Sequence, residues 1–304
     1  MEKIRLALDW TPNINHIGFF IAQEKGFYQN QGLEVQIIDP SQDNYARTPA
    51  KKVELGQADL ALCPSESVIS YRTKTKPFPL IGIATIFQQD LSAIAVKAQS
   101  EIKSPRGLDG RSYASYQARY EDQIVKQMIQ NDGGKGDLMI SYPQKLGIWD
   151  TILSDNYDAT WIFVNWEGVE AEALEVPLTL FRMEDYGIPY GYSPLLVVDE
   201  NALSSREEAL CRFLTACRKS YLFASEHPEE AIELLKPFIP PQDAKIDLNQ
   251  ALALSIPAFG DQHHWGKMDA AKMNQFLDWI YNKQLETKLL KLSDLINSEL
   301  ICKI

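Results

Sequence analysis

Four short stretches of this 304-residue chain gather aromatic rings, amides and carboxylates where a strand-like run gives way to a helix-like one. The first, WTPNINH, holds Trp10, Asn13, Asn15 and His16. The second holds Cys63, Ser65, Glu66 and Ser67, the third Tyr116, Gln117, Arg119, Tyr120 and Glu121, and the fourth Asn165, Trp166 and Glu167. Gln88, Gln89 and Asp90 end another apolar run, and Tyr186, Tyr190 and Tyr192 lead into a further one. Flat rings can sandwich a planar heterocycle, while amides and carboxylates can pair with its ring nitrogens and amino groups. Helix starts at Ser65 and near Tyr120 add backbone N–H groups of the kind that suit an anion such as phosphate. No P-loop and no GxGxxG occurs, so the pattern does not point to a nucleotide phosphate chain. Trp10 to His16 is expected to form one wall of a cleft for a small planar ligand.

The elements that must position these residues follow from periodicity. KIRLALDW, LEVQIIDP, ADLALCP and PLIGIATIF have the apolar runs or alternation of strands, with helix-like segments between them. HIGFFIAQEKGFYQNQ is expected to be one helix ending near Gly32, and SESVISYRTKTK another. The rhythm then restarts: RSYASYQ, DLMISYP and DATWIFVN are strand-like, and YEDQIVKQMIQNDGG, LGIWDTILSDN and WEGVEAEAL helix-like. LTLFRM and SPLLVVDE are strand-like, and after Asn201 the chain is helical almost throughout. Repeated βα units predict two α/β lobes with mostly parallel sheets, and ligands in such sheets sit outside the C-terminal strand ends. Residues 1–90 with 193–304 are expected to form the first lobe and residues 91–192 the second. Strand-like joins near Gln88–Ser92 and Tyr190–Pro194 would then be a hinge beside a cleft.

Composition is ordinary for a globular protein, 45% hydrophobic and 23% charged. A formal charge of −11 and a pI near 4.9 argue against nucleic-acid and anionic-membrane partners, which reward clustered Lys and Arg. No stretch approaches the roughly 18–20 apolar residues of a membrane helix, so no membrane insertion is expected. Cys63, Cys211, Cys217 and Cys302 have no ligand spacing and are expected to be small buried thiols. QHHWG, from Gln262 to Gly266, has two histidines without a third ligand at a recognisable spacing, so no metal site is expected. The residues after Met1 are charged and then strand-like, unlike a secretion signal. The chain as it stands is thus expected in the cytoplasm, or outside it if a leader was removed.

LDWTPNINHIGFFIAQEKGFYQNQGLEVQI, GQADLALCPSESVIS and DATWIFVNWEGVEAEAL resemble the NMT1/THI5-like family of thiamine-pyrimidine precursor proteins, over about residues 3–235. The resemblance implies a type II periplasmic-binding-protein fold, an α/β architecture of two lobes around a hinged cleft with a helical C-terminal segment. It also implies one of two activities. One group comprises solute-binding components of ABC transporters, including those that capture formyl-aminopyrimidine. The other is a single-turnover pyrimidine synthase that consumes its own histidine and pyridoxal phosphate at an iron-dependent site.

The two groups part at checkable positions. Where the synthase carries a lysine for pyridoxal phosphate and a histidine four residues later, this chain has Cys63 and Ser67. Its cysteine-rich iron motif falls near YGIPYGYSP, which has no cysteine. The strand ends instead resemble the binding proteins, and that likeness nominates Trp10, Asn15, Glu66, Tyr116, Trp166, Glu167 and Tyr190 as ligand contacts, with Asn165 and Tyr192 after them. His16 joins them from its place at the first strand end and its match to a histidine in the synthase's opening motif. The expectation is a protein that closes over an aminopyrimidine related to thiamine, with no cofactor and no catalytic residue, and with an ABC-transporter permease as its second partner. The alternative is a thiamine-pyrimidine synthase-like enzyme, for which alone pyridoxal phosphate and iron are expected.

Overall fold

Along the first strand, β1 (Glu2–Ala7), Ile4 and Leu6 enter one apolar core and Ala7 another. A strand buried on both faces needs a layer on each side, which is the condition of a parallel α/β sheet. In the computed structural model, which describes residues 1–304, β1 lies parallel to β2 (Leu33–Ile38) and β3 (Leu60–Cys63). With β4 (Leu80–Thr85) begins the far edge of the same sheet. The second sheet contains β5 (Ser92–Lys97), β6 (Arg111–Ala114), β7 (Leu138–Ser141), β8 (Ala159–Phe163) and β9 (Leu178–Phe181). The chain then returns, and β10 (Leu195–Asp199) joins the first sheet.

The strand orders are β2-β1-β3-β10-β4 and β7-β6-β8-β5-β9. Each sheet carries an inserted antiparallel strand: β10 opposes β3 and β4, and β5 opposes β8 and β9. Alternating side chains reveal a strand and its faces but not its direction, so the sequence pattern predicts the strands and not these two reversals. The result is a two-lobed type II binding-protein architecture. The lobes are joined by Ile86–Leu91 and by the segment between Phe181 and Leu195, neither of which is a strand through the join.

Helices flank the sheets where apolar spacing predicts them, with one informative exception. The expected helix up to Gly32 ends at Glu24, because Gly26 turns the chain at φ 69° before a short helix, Phe27–Asn30. A 3-10 turn, Ile14–His16, precedes it and is capped by Asn13, whose side chain accepts from the Asn15 N–H at 2.9 Å. Of the cysteines, Cys63 and Cys217 are buried as expected, whereas Cys211 is half-buried and Cys302 exposed.

The C-terminal segment covers the open edge of β4. Gly82 donates to Leu295 O at 2.9 Å and accepts from the Asn297 N–H at 2.8 Å, and the Thr85 N–H donates to Gly266 O at 3.0 Å. Unpaired edge groups invite another strand, so this cover is part of keeping the fold single. On the opposite face, helix Leu203–Glu226 presses Tyr221 onto helix Ile17–Glu24 at Gly18. A Cβ built at Gly18 would stand 2.3 Å from the Tyr221 ring, and the Tyr221 hydroxyl donates to Asn15 O at 2.7 Å. Gly18→Ala is expected to destabilise the fold by about 1–3 kcal/mol through overpacking. Thermal unfolding followed by circular dichroism measures it, and an unchanged Tm would mean that the two helices part without penalty.

Candidate functional site

The C-terminal ends of β1, β3, β6 and β8 converge on a cavity of about 410 Å³ whose walls come from both lobes. From the first lobe come Asp9, Trp10, Asn15, Tyr45, Glu66 and Tyr71, and from the second Tyr116, Arg119, Glu121, Lys145, Trp166 and Glu167. Tyr190, on the returning connection, completes the wall. The volume falls within the range of about 300–1,000 Å³ usual for small-molecule pockets.

One wall is aromatic. Trp10 follows β1 and meets Tyr116, which follows β6, edge to face at 5.7 Å between centroids. Tyr45 packs at 5.9 Å on the other side of Trp10 and donates its hydroxyl to Asp9 O at 2.6 Å. Asn44 and Tyr45 both have left-handed backbone, φ 51° and 58°, and so does Gln117, beside Tyr116, at φ 62°. Such conformations are unfavourable for residues with a Cβ and concentrate at sites where side-chain direction matters. Trp161 and Tyr190 form a second aromatic pair, 5.3 Å apart.

The other wall is acidic and largely dry. Glu66, in the first turn of helix Ser65–Thr73, is 4% exposed, and its Oε2 has no hydrogen-bond partner. Burial, with the neighbouring charge of Glu121, raises its carboxyl to about 8. Burial likewise raises Glu167 to about 7, although its Oε2 accepts the Phe163 N–H at 2.9 Å. Glu121 is engaged by the protein: it accepts from the N–H groups of Tyr116 and Ala118 and from the Tyr113 hydroxyl at 2.9–3.2 Å.

Two N–H groups of the loop before helix Glu121–Asn131 thus go to Glu121, and the Ser65 N–H donates to Tyr192 O at 2.8 Å.

Seven residues expected from sequence line the cavity: Trp10, Asn15, Glu66, Tyr116, Trp166, Glu167 and Tyr190. Three lie behind it. His16 is fully buried, its Nδ1 accepting from the Asn13 N–H at 3.3 Å and its Nε2 lying 2.8 Å from Asp9 Oδ1, so it holds Asp9 in place rather than facing the cavity. Asn165 is 1% exposed and bonds to Asn15 and Ser255. Tyr192 turns away, its hydroxyl accepting from the Asp269 N–H at 2.8 Å and its ring lying under the Lys272 ammonium at 4.2 Å. The expectation missed Tyr45, Trp161 and Lys145. Lys145 lies on a turn after β7 with its ammonium 5.2 Å from the Tyr45 ring, and burial lowers its pKa.

The lobes also touch at the cavity rim. Arg119 donates to Glu286 at 2.6 Å and to Thr73 Oγ1 at 2.9 Å, and the Tyr120 hydroxyl donates to Glu286 at 3.0 Å. Burial works to raise the Glu286 carboxyl, but hydrogen bonds from Thr73, from the Lys288 and Thr287 N–H groups and from Tyr120 outweigh it and bring the group to about 2.

The chain is similar to several known proteins. A family described as NMT1/THI5 like matches residues 13–231. A Haemophilus influenzae protein named for thiamine biosynthesis is 25% identical over 295 residues, 96% of this chain and 91% of that one. The formylaminopyrimidine-binding protein of Halalkalibacterium halodurans is 26% identical over 77% of this chain and 70% of its own length. A 4-amino-5-hydroxymethyl-2-methylpyrimidine phosphate synthase of Legionella pneumophila is 24% identical over 77% and 73%. Among solved structures, the alkanesulfonate-binding protein SsuA of Xanthomonas axonopodis pv. citri superposes with a TM-score of 0.73 at 12% identity, over 98% of this chain and 99% of that one.

The buried carboxyl has a measurable consequence. Between its ordinary 4.5 and the folded value of about 8, Glu66 is protonated in the native state and ionised in the unfolded one, so its contribution to stability falls as pH rises through that window. Glu66→Gln is therefore expected to raise the Tm of the ligand-free protein near pH 8 and to leave it unchanged near pH 4. Equal Tm differences at the two pH values would show that Glu66 is ionised in the fold.

Proposed function

We propose that this chain, which belongs to the NMT1/THI5-like family, is a binding protein that closes its two lobes over a small planar nitrogen heterocycle, an aminopyrimidine related to thiamine. The observation that carries the reading is Glu66, a buried carboxyl with an unpartnered oxygen on the wall of an aromatic-lined cavity. A neutral carboxylic acid offers one O–H donor and one C=O acceptor side by side. A 4-aminopyrimidine offers the complementary pair, a ring nitrogen acceptor beside an exocyclic N–H donor. Trp10 and Tyr190 stack on the ring, Glu167 accepts from an amino group, and Asn15 supplies a further polar contact. Lobe closure removes water from these contacts, and its cost is met from the binding energy. The relative named for formylaminopyrimidine binding supports this ligand class, and the fold supports an ABC-transporter permease as the second partner.

One observation favours a second reading. A lysine reachable from the cavity is what a pyridoxal-dependent synthase requires, and Lys145 lines the wall with a lowered pKa. Against it, the synthase's own lysine and histidine positions hold Cys63, a buried thiol whose pKa burial pushes up, and Ser67, and neither can do that chemistry.

The two readings separate in one experiment. Native mass spectrometry of the purified protein should reveal a noncovalent aminopyrimidine released on denaturation. A borohydride-reducible pyridoxal adduct on Lys145 would instead support the enzyme. Calorimetry with formylaminopyrimidine then tests the contacts. Trp10→Ala should weaken binding at least about twofold, the loss of a ring stack worth roughly 0.5–1.5 kcal/mol. Glu66→Gln keeps one donor and one acceptor and should bind within about threefold of the parent, while Glu66→Leu should lose about tenfold or more. A Gln variant as weak as the Leu variant would mean that an ionised Glu66 meets a cationic ring.

A further inference from the structure

Behind the cavity, a buried line of polar groups determines which way one amide points. Ser255, fully buried on helix Leu248–Phe259, donates its hydroxyl hydrogen to Ala251 O at 2.7 Å. Its oxygen can then only accept. Asn165, from the second lobe, supplies that donor: Nδ2 lies 2.8 Å from Ser255 Oγ. The second N–H of the same group goes to Asn15 Oδ1, 2.7 Å away in the first lobe. Asn165 Oδ1 has no partner. Reversing the Asn165 amide would put two buried N–H donors where that one unpaired oxygen stands, a larger loss than one unpaired acceptor. Every bond in the line thus points away from the Asn165 N–H2, through Ser255 to Ala251 O on one side and to the side-chain carbonyl of Asn15 on the other. The N–H2 of Asn15, a residue of the cavity wall, is the branch left to face the ligand.

We infer that Ser255 and Asn165 are positioning residues that turn the N–H2 of Asn15 into the cavity, and that the ligand must therefore present a hydrogen-bond acceptor there. The bond between Asn165 and Asn15 joins residues of the two lobes. This rests on the heterocycle-binding reading above and specifies one of its contacts, a ring nitrogen or carbonyl oxygen opposite Asn15.

A double-substitution cycle tests it, read by calorimetry with formylaminopyrimidine. Asn165→Asp replaces the donor by an acceptor and should turn the Asn15 carbonyl into the cavity, weakening binding about tenfold or more; Ser255→Ala should weaken it about threefold. In an Asn15→Ala background, where there is no amide left to orient, each second substitution should change affinity by less than about twofold. Losses that persist undiminished in that background, or an Asn165→Asp variant as tight as the parent, overturn the inference. Should Asn165→Asp not fold, Ser255→Ala alone closes the cycle. If the unsubstituted protein binds no formylaminopyrimidine, the ligand assignment fails, and the relay is read without ligand from side-chain amide exchange in ¹⁵N-labelled protein. The Asn165 N–H2 should then be protected, the Asn15 N–H2 exchange faster, and the protection fall in Ser255→Ala. Equal exchange at both amides overturns the relay.

Discussion

The site depends on the direction of β10. The chain comes back from the second lobe at the C-terminal ends of the parallel strands, so a strand starting there can only run away from the cavity. β10 therefore opposes its neighbours, and its first residue, Leu195, pairs with both Cys63 and Thr85. That register brings Tyr190–Ser193 against the residues that follow β3. The Ser65 N–H donates to Tyr192 O and the Tyr192 N–H donates to Ser65 Oγ at 3.1 Å, clasping the start of the helix that carries Glu66. A one-residue slip would turn Leu195 and Val197 from one core to the other and unseat this clasp.

The cavity concentrates carboxyl groups with few cations to answer them. Asp9, Glu66, Glu121 and Glu167 share the walls with Arg119 and Lys145, and the Arg119 guanidinium is engaged with Glu286. Each acid is settled differently. Asp9 faces His16, Glu121 collects backbone N–H groups, Glu167 takes one, and Glu66 takes none on Oε2. A wall with this inventory favours molecules rich in N–H donors and disfavours anions, because a dry site strengthens attraction and repulsion alike.

Most of the fold was legible because burial on both faces leaves continuous apolar runs and helices leave spaced ones. Four of the loops that carry the candidate site announced themselves by aromatic and carboxylate residues directly after such runs. What stayed hidden had physical reasons. Tyr45 reaches the cavity only through two successive left-handed residues, which nothing in DNYAR signals. Trp161 sits within β8 and has the appearance of core until its neighbours are known. Lys145 follows an edge strand whose end had no obvious chemistry. Conversely, His16, Asn165 and Tyr192 had the right types and the right positions but turned backward, since a strand end fixes where a residue is and its rotamer decides which side it serves.

The division of the first sheet has a consequence for the order of events on the ribosome. The second sheet is built from one uninterrupted stretch, Ser92–Phe181, and can complete itself as soon as that stretch emerges. The first sheet cannot, because the slot between β3 and β4 waits for Leu195–Asp199, and the outer edge of β4 waits for Leu295–Asn297, near the end of the chain. While residues 92–294 are being made, then, the first sheet remains the unfinished one, with open strand edges of the kind that attract other chains. Crowding the nascent chain would endanger this half of the molecule, and Leu295–Asn297 are the residues that end the exposure.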